Sequence, residues 1–284
     1  MSGLYEFLSF GRELSFSSWG LFALAVFIVG FSKTGLPGVT IVSVPLTAMI
    51  FSPKISVGLM LPIYMMGDVI SVWSYWRFAQ WRYCFPYLLF VGLGVWSASF
   101  VAELVDDKTF GVVIGWTVTV LILLSAATDR MQKWGQKWRQ PARAEAQVRD
   151  EKILQETREA REAGKSPAPA TSVFFGLVSG LVSALANAAA PIMAIYMIMA
   201  RLSKFQILGT TAVCSFFMNW IKVPLFLSLN MLSVETLKLD IVSIPMVVVG
   251  GLAGILFAKK LPQKAFKNLV LVVALAASVK LILS

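Results

Sequence analysis

Gly35-Leu36-Pro37-Gly38 interrupts an otherwise apolar run extending from about Trp19 to Phe51. Two glycines flank a proline that has no backbone donor and clashes with the preceding turn, so the sequence predicts a helix broken here. In a bilayer such a break exposes amides and carbonyls to hydrocarbon unless protein or a water-filled cavity satisfies them. A second interruption, Ala186-Asn187-Ala188-Ala189-Ala190-Pro191, falls in the corresponding run of the other half of the chain. Paired broken helices are the usual architecture of membrane sites for ions and small solutes.

The rest of the composition agrees with a membrane setting. Of 284 residues, 57% are hydrophobic and 14% charged, with a mean hydropathy of +0.76; soluble domains carry about a quarter charged residues. There are no histidines, and Cys84 and Cys214 both lie in or beside apolar segments, so neither a disulfide nor a zinc site is expected. The net charge of +10 resides in short loops and one linker beside apolar runs, where it sets orientation rather than binding nucleic acid. Met1 to Ser18 shows no cleavage-site pattern, so no removable signal peptide is expected.

After the first broken run come apolar stretches at about 55 to 76, 83 to 102 and 110 to 128. Each approaches the roughly 20 residues that cross a bilayer as a helix. From Asp129 the chain turns hydrophilic as far as Ser166, and Pro167 and Pro169 close this linker. Its first part, Arg130 to Arg143, is basic, with Met131, Trp134 and Trp138 on one helical face. That pattern suits a helix on an anionic membrane surface or a solvated connector. A broken run at 171 to 200 follows, then apolar runs at 206 to 228, 239 to 258 and 265 to 283. The chain therefore divides into a first membrane repeat (1–128), a cytoplasmic linker (129–170) and a second membrane repeat (171–284).

A shift of 151 positions places Gly58 on Gly209, Asp68 on Asn219 and break upon break, and a slightly longer one places Gly94 on Gly250. With the linker cytoplasmic, Arg77, Arg82, Arg201, Lys204 and the basic residues from Lys259 to Lys267 all fall inside only if each broken run enters and leaves on one face. The expected fold is thus an all-α polytopic membrane protein of two inverted repeats, each a broken-helix re-entrant hairpin followed by three transmembrane helices. Both termini are then outside.

The stretch Gly30-Phe31-Ser32-Lys33-Thr34-Gly35-Leu36-Pro37-Gly38 followed by Val44-Pro45-Leu46, with its plan repeated after a hydrophilic loop, resembles the sulfite exporter TauE/SafE family of membrane permeases. The resemblance covers both halves. It implies a multi-pass permease of the cell (inner) membrane that moves small sulfur-containing or organic anions, such as sulfite, sulfonates or sulfoacetate, without a cofactor. The chain departs from the pattern where the family's second glycine-rich turn reads Ala186-Asn187-Ala188-Ala189-Ala190. Alanine does not reach positive φ at low cost, so a tighter second break is expected.

New half-helices are expected at about Val39 and Ala190, and their unpartnered first amides and positive dipole ends suit an anion. Candidate substrate-binding residues are Ser32, Lys33, Thr34, Gly35, Pro37, Gly38, Val39 and Thr40 at the first break, with Asn187, Ala188, Ala189 and Ala190 at the second. The same small residues also suit close helix packing, as expected of Gly176/Gly180 and Gly250/Gly254.

Three charges lie well inside apolar runs: Lys33, Asp68 and Lys222. Intramembrane charge is costly and marks function by default. Lys33 adds positive potential before the first break. Asp68, in mid-span, must take a proton or find a partner, which makes it the candidate coupling residue, with Asn219 at the repeat-related position and Lys222 one turn beyond. Lys222 has three expected roles, pairing with Asp68, contacting cargo or snorkelling to the headgroups. Tyr64, Trp73 and Trp220 line a pathway or pack.

The reading is a secondary transporter of a small anion, an exporter, with protons as the candidate coupling ion. An anion channel uses the same breaks and is distinguished by purely downhill flux. An intramembrane enzyme is disfavoured by the lack of histidine and of Gly-x-Ser-x-Gly or His-Glu-x-x-His patterns, and a primary pump by the lack of a nucleotide-binding loop.

Overall fold

The computed structural model describes residues 15–34, 39–139, 169–200, 202, 204–257 and 275–283. They form an all-α polytopic membrane protein, with six helices among them long and apolar enough to cross a bilayer. Helix α1 (Phe16–Thr34) ends at the first break; a 3₁₀ turn (Val39–Val42) and α2 (Ser43–Thr47) follow. Then come α3 (Pro53–Tyr75), a 3₁₀ turn (Trp76–Phe78), α4 (Trp81–Leu104) and α5 (Asp107–Arg139). The second half contains α6 (Pro169–Ala186), α7 (Ala190–Met199), α8 (Lys204–Ser228) and α9 (Val234–Phe257), and residues 275–283 form α10.

Local chemistry explains the boundaries. Ser52 is extended and accepts the Ile55 amide at 3.5 Å, with Pro53 at the first helical position, which starts α3. Asp106 accepts the Thr109 amide at 3.2 Å and caps α5. Lys54 ties these ends to the end of α4, its ammonium donating to Ala102 O at 2.9 Å and Val105 O at 2.7 Å.

Two elements differ from expectation. Helix α5 runs through residue 128 to Arg139, so the helix expected over the first part of the linker is an extension of this span. After the first break the chain forms a 3₁₀ turn and a five-residue helix in place of one half-helix from Val39. The β-branched run Val39-Thr40-Ile41-Val42 and the donor-less Pro45 explain that tighter path. Gly35, Leu36, Pro37 and Gly38, the rest of the linker and the basic stretch 259–267 lie outside the described residues.

The long helices pack as two groups that each mix the halves of the chain: α1 and α3 with α9, and α6 and α8 with α4. Glycines bring the backbones together. A Cβ on Gly30 would lie 2.2 Å from Val247 O, and one on Gly250 2.3 Å from Phe27 O. In the other group a Cβ on Gly94 would lie 2.2 Å from Leu177 O and one on Gly180 2.2 Å from Val91 O. Nothing larger than glycine fits either crossing, the small-residue contact common between membrane helices.

The groups meet along α3 and α8. Gly58 packs on the Met231 backbone just beyond the end of α8, Asp68 meets Asn219 in the middle, and Gly209 near the start of α8 packs on the Tyr75 carbonyl. The two helices therefore run antiparallel. Away from these seams the exposed side chains are largely apolar, Leu89, Phe100, Ile241 and Leu256 among them, a surface suited to lipid.

Candidate functional site

The candidate site grows from the end of α1. Gly67 on α3 has no side chain, and the stem of Lys33 fills the space, with Lys33 Cγ only 2.8 Å from where a Cβ would stand. The Lys33 ammonium thereby reaches Asp68, with which it forms a part-buried ion pair, and donates to Ser215 Oγ at 2.7 Å. It also lies 5.5 Å from the centre of the Tyr64 ring, a cation–π contact. Ser71 Oγ donates to the Lys33 carbonyl at 3.2 Å, satisfying an acceptor that the end of α1 leaves open.

Asp68 is fully buried on α3, and its second oxygen accepts Asn219 Nδ2 at 2.5 Å. The residues that the 151-position shift relates are thus in contact. The partner of Asp68 is Lys33, however, and Lys222 is bound elsewhere. Lys222 is only 1% exposed, so it does not snorkel. Its ammonium donates to Asn187 Oδ1 and, at 3.4 Å, to Ser183 O, both neutral acceptors, and lies 5.7 Å from the Phe226 ring centre.

Asn187 explains how the second break works without glycine. It takes the left-handed conformation itself, at φ 51°, directly after the last residue of α6; asparagine tolerates this far better than alanine. The alanines at 188 and 189 need no positive φ, and the expectation of a constraint set by alanine is replaced by this one residue. Its side chain fixes the turn on both sides, Nδ2 donating to Val57 O at 2.8 Å while Oδ1 accepts Lys222. Ala188, Ala189 and Ala190 complete the turn into α7, and the Met193 amide returns to Ala189 O at 2.9 Å.

At the first break Ser32 Oγ accepts the Thr40 amide at 3.2 Å, tying the end of α1 to the 3₁₀ turn. The Thr34 hydroxyl donates to Gly251 O at 2.8 Å, holding α1 to α9. Ser43 Oγ donates to Thr40 O at 2.6 Å and accepts the Tyr64 hydroxyl, whose oxygen also lies 3.3 Å from Thr40 O, so Tyr64 anchors the returning chain. Val39 is buried beside them. Trp73 and Trp220 are exposed on the outer surface and line no interior path.

One stripe of α8 unites the breaks. Ser215, Asn219 and Lys222 stand at four- and three-residue spacing and so share a face; they bind Lys33, Asp68 and Asn187 in turn. The ends of that stripe are seven residues apart, about 10 Å along a helix. Among the described residues this buried network holds two ammonium groups against one carboxylate.

Sequence reasoning missed a fourth deep charge, Asp240, which is 1% exposed. It sits second in the apolar run that begins at Leu239 and reads as a boundary residue, but α9 starts at Val234 and carries it inside. Cys84 and Cys214 are both free and buried.

No curated protein and no solved structure matches the chain. The family described as sulfite exporter TauE/SafE matches residues 22–281, and the chain belongs to that family.

Proposed function

We propose that the protein is a secondary transporter of small anions, sulfite, sulfonates and related sulfur-containing or organic anions being the class it serves, with export as its direction and the cell inner membrane as its place. The observation that carries this is Lys222: a buried ammonium held by Asn187 Oδ1 and Ser183 O, with no carboxylate among the described residues. An unpaired buried charge is costly. A small anion bound beside Lys222, Asn187 and Asn219 supplies the missing charge, and Ser32, Thr34, Val39 and Thr40 of the first break with Ala188 to Ala190 of the second complete its surroundings in this reading.

Coupling follows from the second ammonium. Lys33 adds its charge to the cargo only by releasing Asp68, and a released carboxylate in that place needs a proton. Anion and proton then move together, with Asn219 retaining Asp68 throughout. The inverted-repeat architecture belongs to this reading. The antiparallel α3–α8 pair meeting at Asp68 and Asn219 supports it, as do the matched glycine crossings Gly30–Gly250 and Gly94–Gly180. In this arrangement 129–170 is cytoplasmic and both termini are outside.

The test is a binding screen of purified protein in lipid nanodiscs against sulfite, sulfate, sulfonates and carboxylates, repeated with Lys222→Met. Saturable binding of at least one anion, lost in a folded Lys222→Met protein, is expected. Equal affinity in that variant would overturn the assignment.

A further inference from the structure

Asp240 belongs to none of the interactions above. Neither of its carboxylate oxygens has a hydrogen-bond partner among the described residues, although the side chain is buried. It shares the inward face of α9 with Ser243, Val247 and Gly250, at three- and four-residue steps, and Val247 and Gly250 are among the residues that touch α1. Asp240 therefore lies in the seam between α9 and its neighbours.

Among the described residues, the helices packed extensively along α9 are α1 and α3. The only ionisable side chain on α1 is Lys33, which is committed to Asp68 and Ser215. Those on α3 are Lys54, Tyr64, Asp68 and Tyr75. Lys54 bonds the end of α4, Tyr64 bonds Ser43, and Asp68 bonds Lys33 and Asn219. Met231 packs on Gly58 and Gly251 on Ile70, so α9 runs in the same direction as α3 and Asp240 falls level with the stretch between Gly58 and Ile70. Tyr75 lies beyond that stretch. Leu59, Met60, Leu61 and Ile63, all fully buried, fall in that stretch and offer no donor from their side chains. On α9 itself Glu235 and Lys238 stand five and two positions away, neither at the spacing that brings side chains together.

An ionised carboxylate without donors or a countercharge is not tolerated in such a place, whereas a protonated carboxyl is a modest polar group. We propose that Asp240 is a second proton-binding site, holding a proton in the α9 seam independently of the Lys33–Asp68 pair and exchanging it during transport. The bound proton stands on the geometry of the seam alone; its exchange rests on the transport reading above. Asp240 is six residues into α9, about 9 Å from the helix start.

Infrared difference spectroscopy of the full-length protein in lipid vesicles during a pH titration tests the bound proton. The expected result is a carboxylic-acid carbonyl band at neutral pH that disappears on alkalinisation, shifts when the protein is made with isotopically labelled aspartate, persists in Asp68→Asn and is absent from Asp240→Asn. Asp240→Glu retains the band but removes its response to aspartate labelling, which identifies the residue even where Asp240→Asn folds poorly. Absence of the band in the wild type, or its persistence with an aspartate shift in Asp240→Glu, overturns the site. In proteoliposomes, Asp240→Asn is expected to bind sulfite as the wild type does while accumulation driven by a pH gradient loses part of its dependence on that gradient. Unchanged gradient dependence overturns the exchange. No sulfite flux in the wild type together with an intact band overturns the transport reading and the exchange, while leaving the bound proton established.

Discussion

Asp68→Asn removes the countercharge of Lys33 and leaves that ammonium, 15% exposed, beside a neutral amide. Two routes give the size of the effect. Unit charges in contact at an effective dielectric near 20 attract by about 4 kcal/mol, and stripping one partner from a buried pair costs about 3–5 kcal/mol in folded stability. At about 1.4 kcal/mol per tenfold change, this is a shift of between two and four decades in the unfolding equilibrium. Ser215 stays as a second acceptor and holds the loss toward the lower end. Equilibrium unfolding in mixed micelles measures it, and a double-mutant cycle names the partner. Adding Lys33→Met to Asp68→Asn is expected to recover most of the loss, whereas adding Lys222→Met is expected to recover little. Rescue by Lys222→Met in preference to Lys33→Met would refute the pairing, as would a loss for Asp68→Asn below about 1 kcal/mol, the scale of an exposed pair.

The glycine crossings divide two neighbouring substitutions sharply. Gly94→Ala drives a Cβ to 2.2 Å from Leu177 O and is expected to destabilise by about 1–3 kcal/mol or more, while Gly92→Ala, with no atom within 4 Å of the new Cβ, gains up to about 1 kcal/mol of helix propensity; thermal melting in one detergent compares them. At the second break, Asn187→Ala and Asn187→Gly both deprive Lys222 of an acceptor, but only alanine must be forced to positive φ, so the glycine variant is expected to be more stable by about 1 kcal/mol in the same assay. The cap of α5 supplies a pH dependence: the Thr109 hydrogen bond holds the exposed Asp106 carboxyl below its ordinary range. Its contribution is therefore present above that range and is lost as pH falls through the lowered value, so melting of Asp106→Asn against wild type is expected to differ at neutral pH and converge under acid.

Much of this arrangement was legible in the sequence because hydrophobic length and helix breakers act locally. The spans at 55 to 76, 83 to 102 and 206 to 228 lie within two or three residues of α3, α4 and α8. The contact between Asp68 and Asn219 was foreshadowed by their equivalent places in the two halves. What stayed hidden depends on side-chain direction across helices. Lys33 reaches Asp68 because Gly67 leaves room for its stem, a fact that no spacing along one helix reveals. The left-handed turn at Asn187 was masked by the surrounding alanines, and Asp240 by a helix that begins earlier than its apolar run. In each case a neighbouring helix, rather than the local pattern, decides what the residue does.

The grouping of α1, α3 and α9 apart from α4, α6 and α8 has a mechanical consequence. Backbones locked at the glycine crossings leave no room for sliding of α1 on α9 or of α4 on α6. The chain passes between groups through short connectors, at Ala79 and Gln80 after α3 and at Asn230 to Ser233 after α8, where Asn230 sits at φ 53°. Lys33 to Ser215, Asn219 to Asp68 and Asn187 to Val57 each join one group to the other. Rocking the two bodies apart therefore breaks these three bonds, so that under the proposed transport reading loading the anion and latching the two bodies are one event.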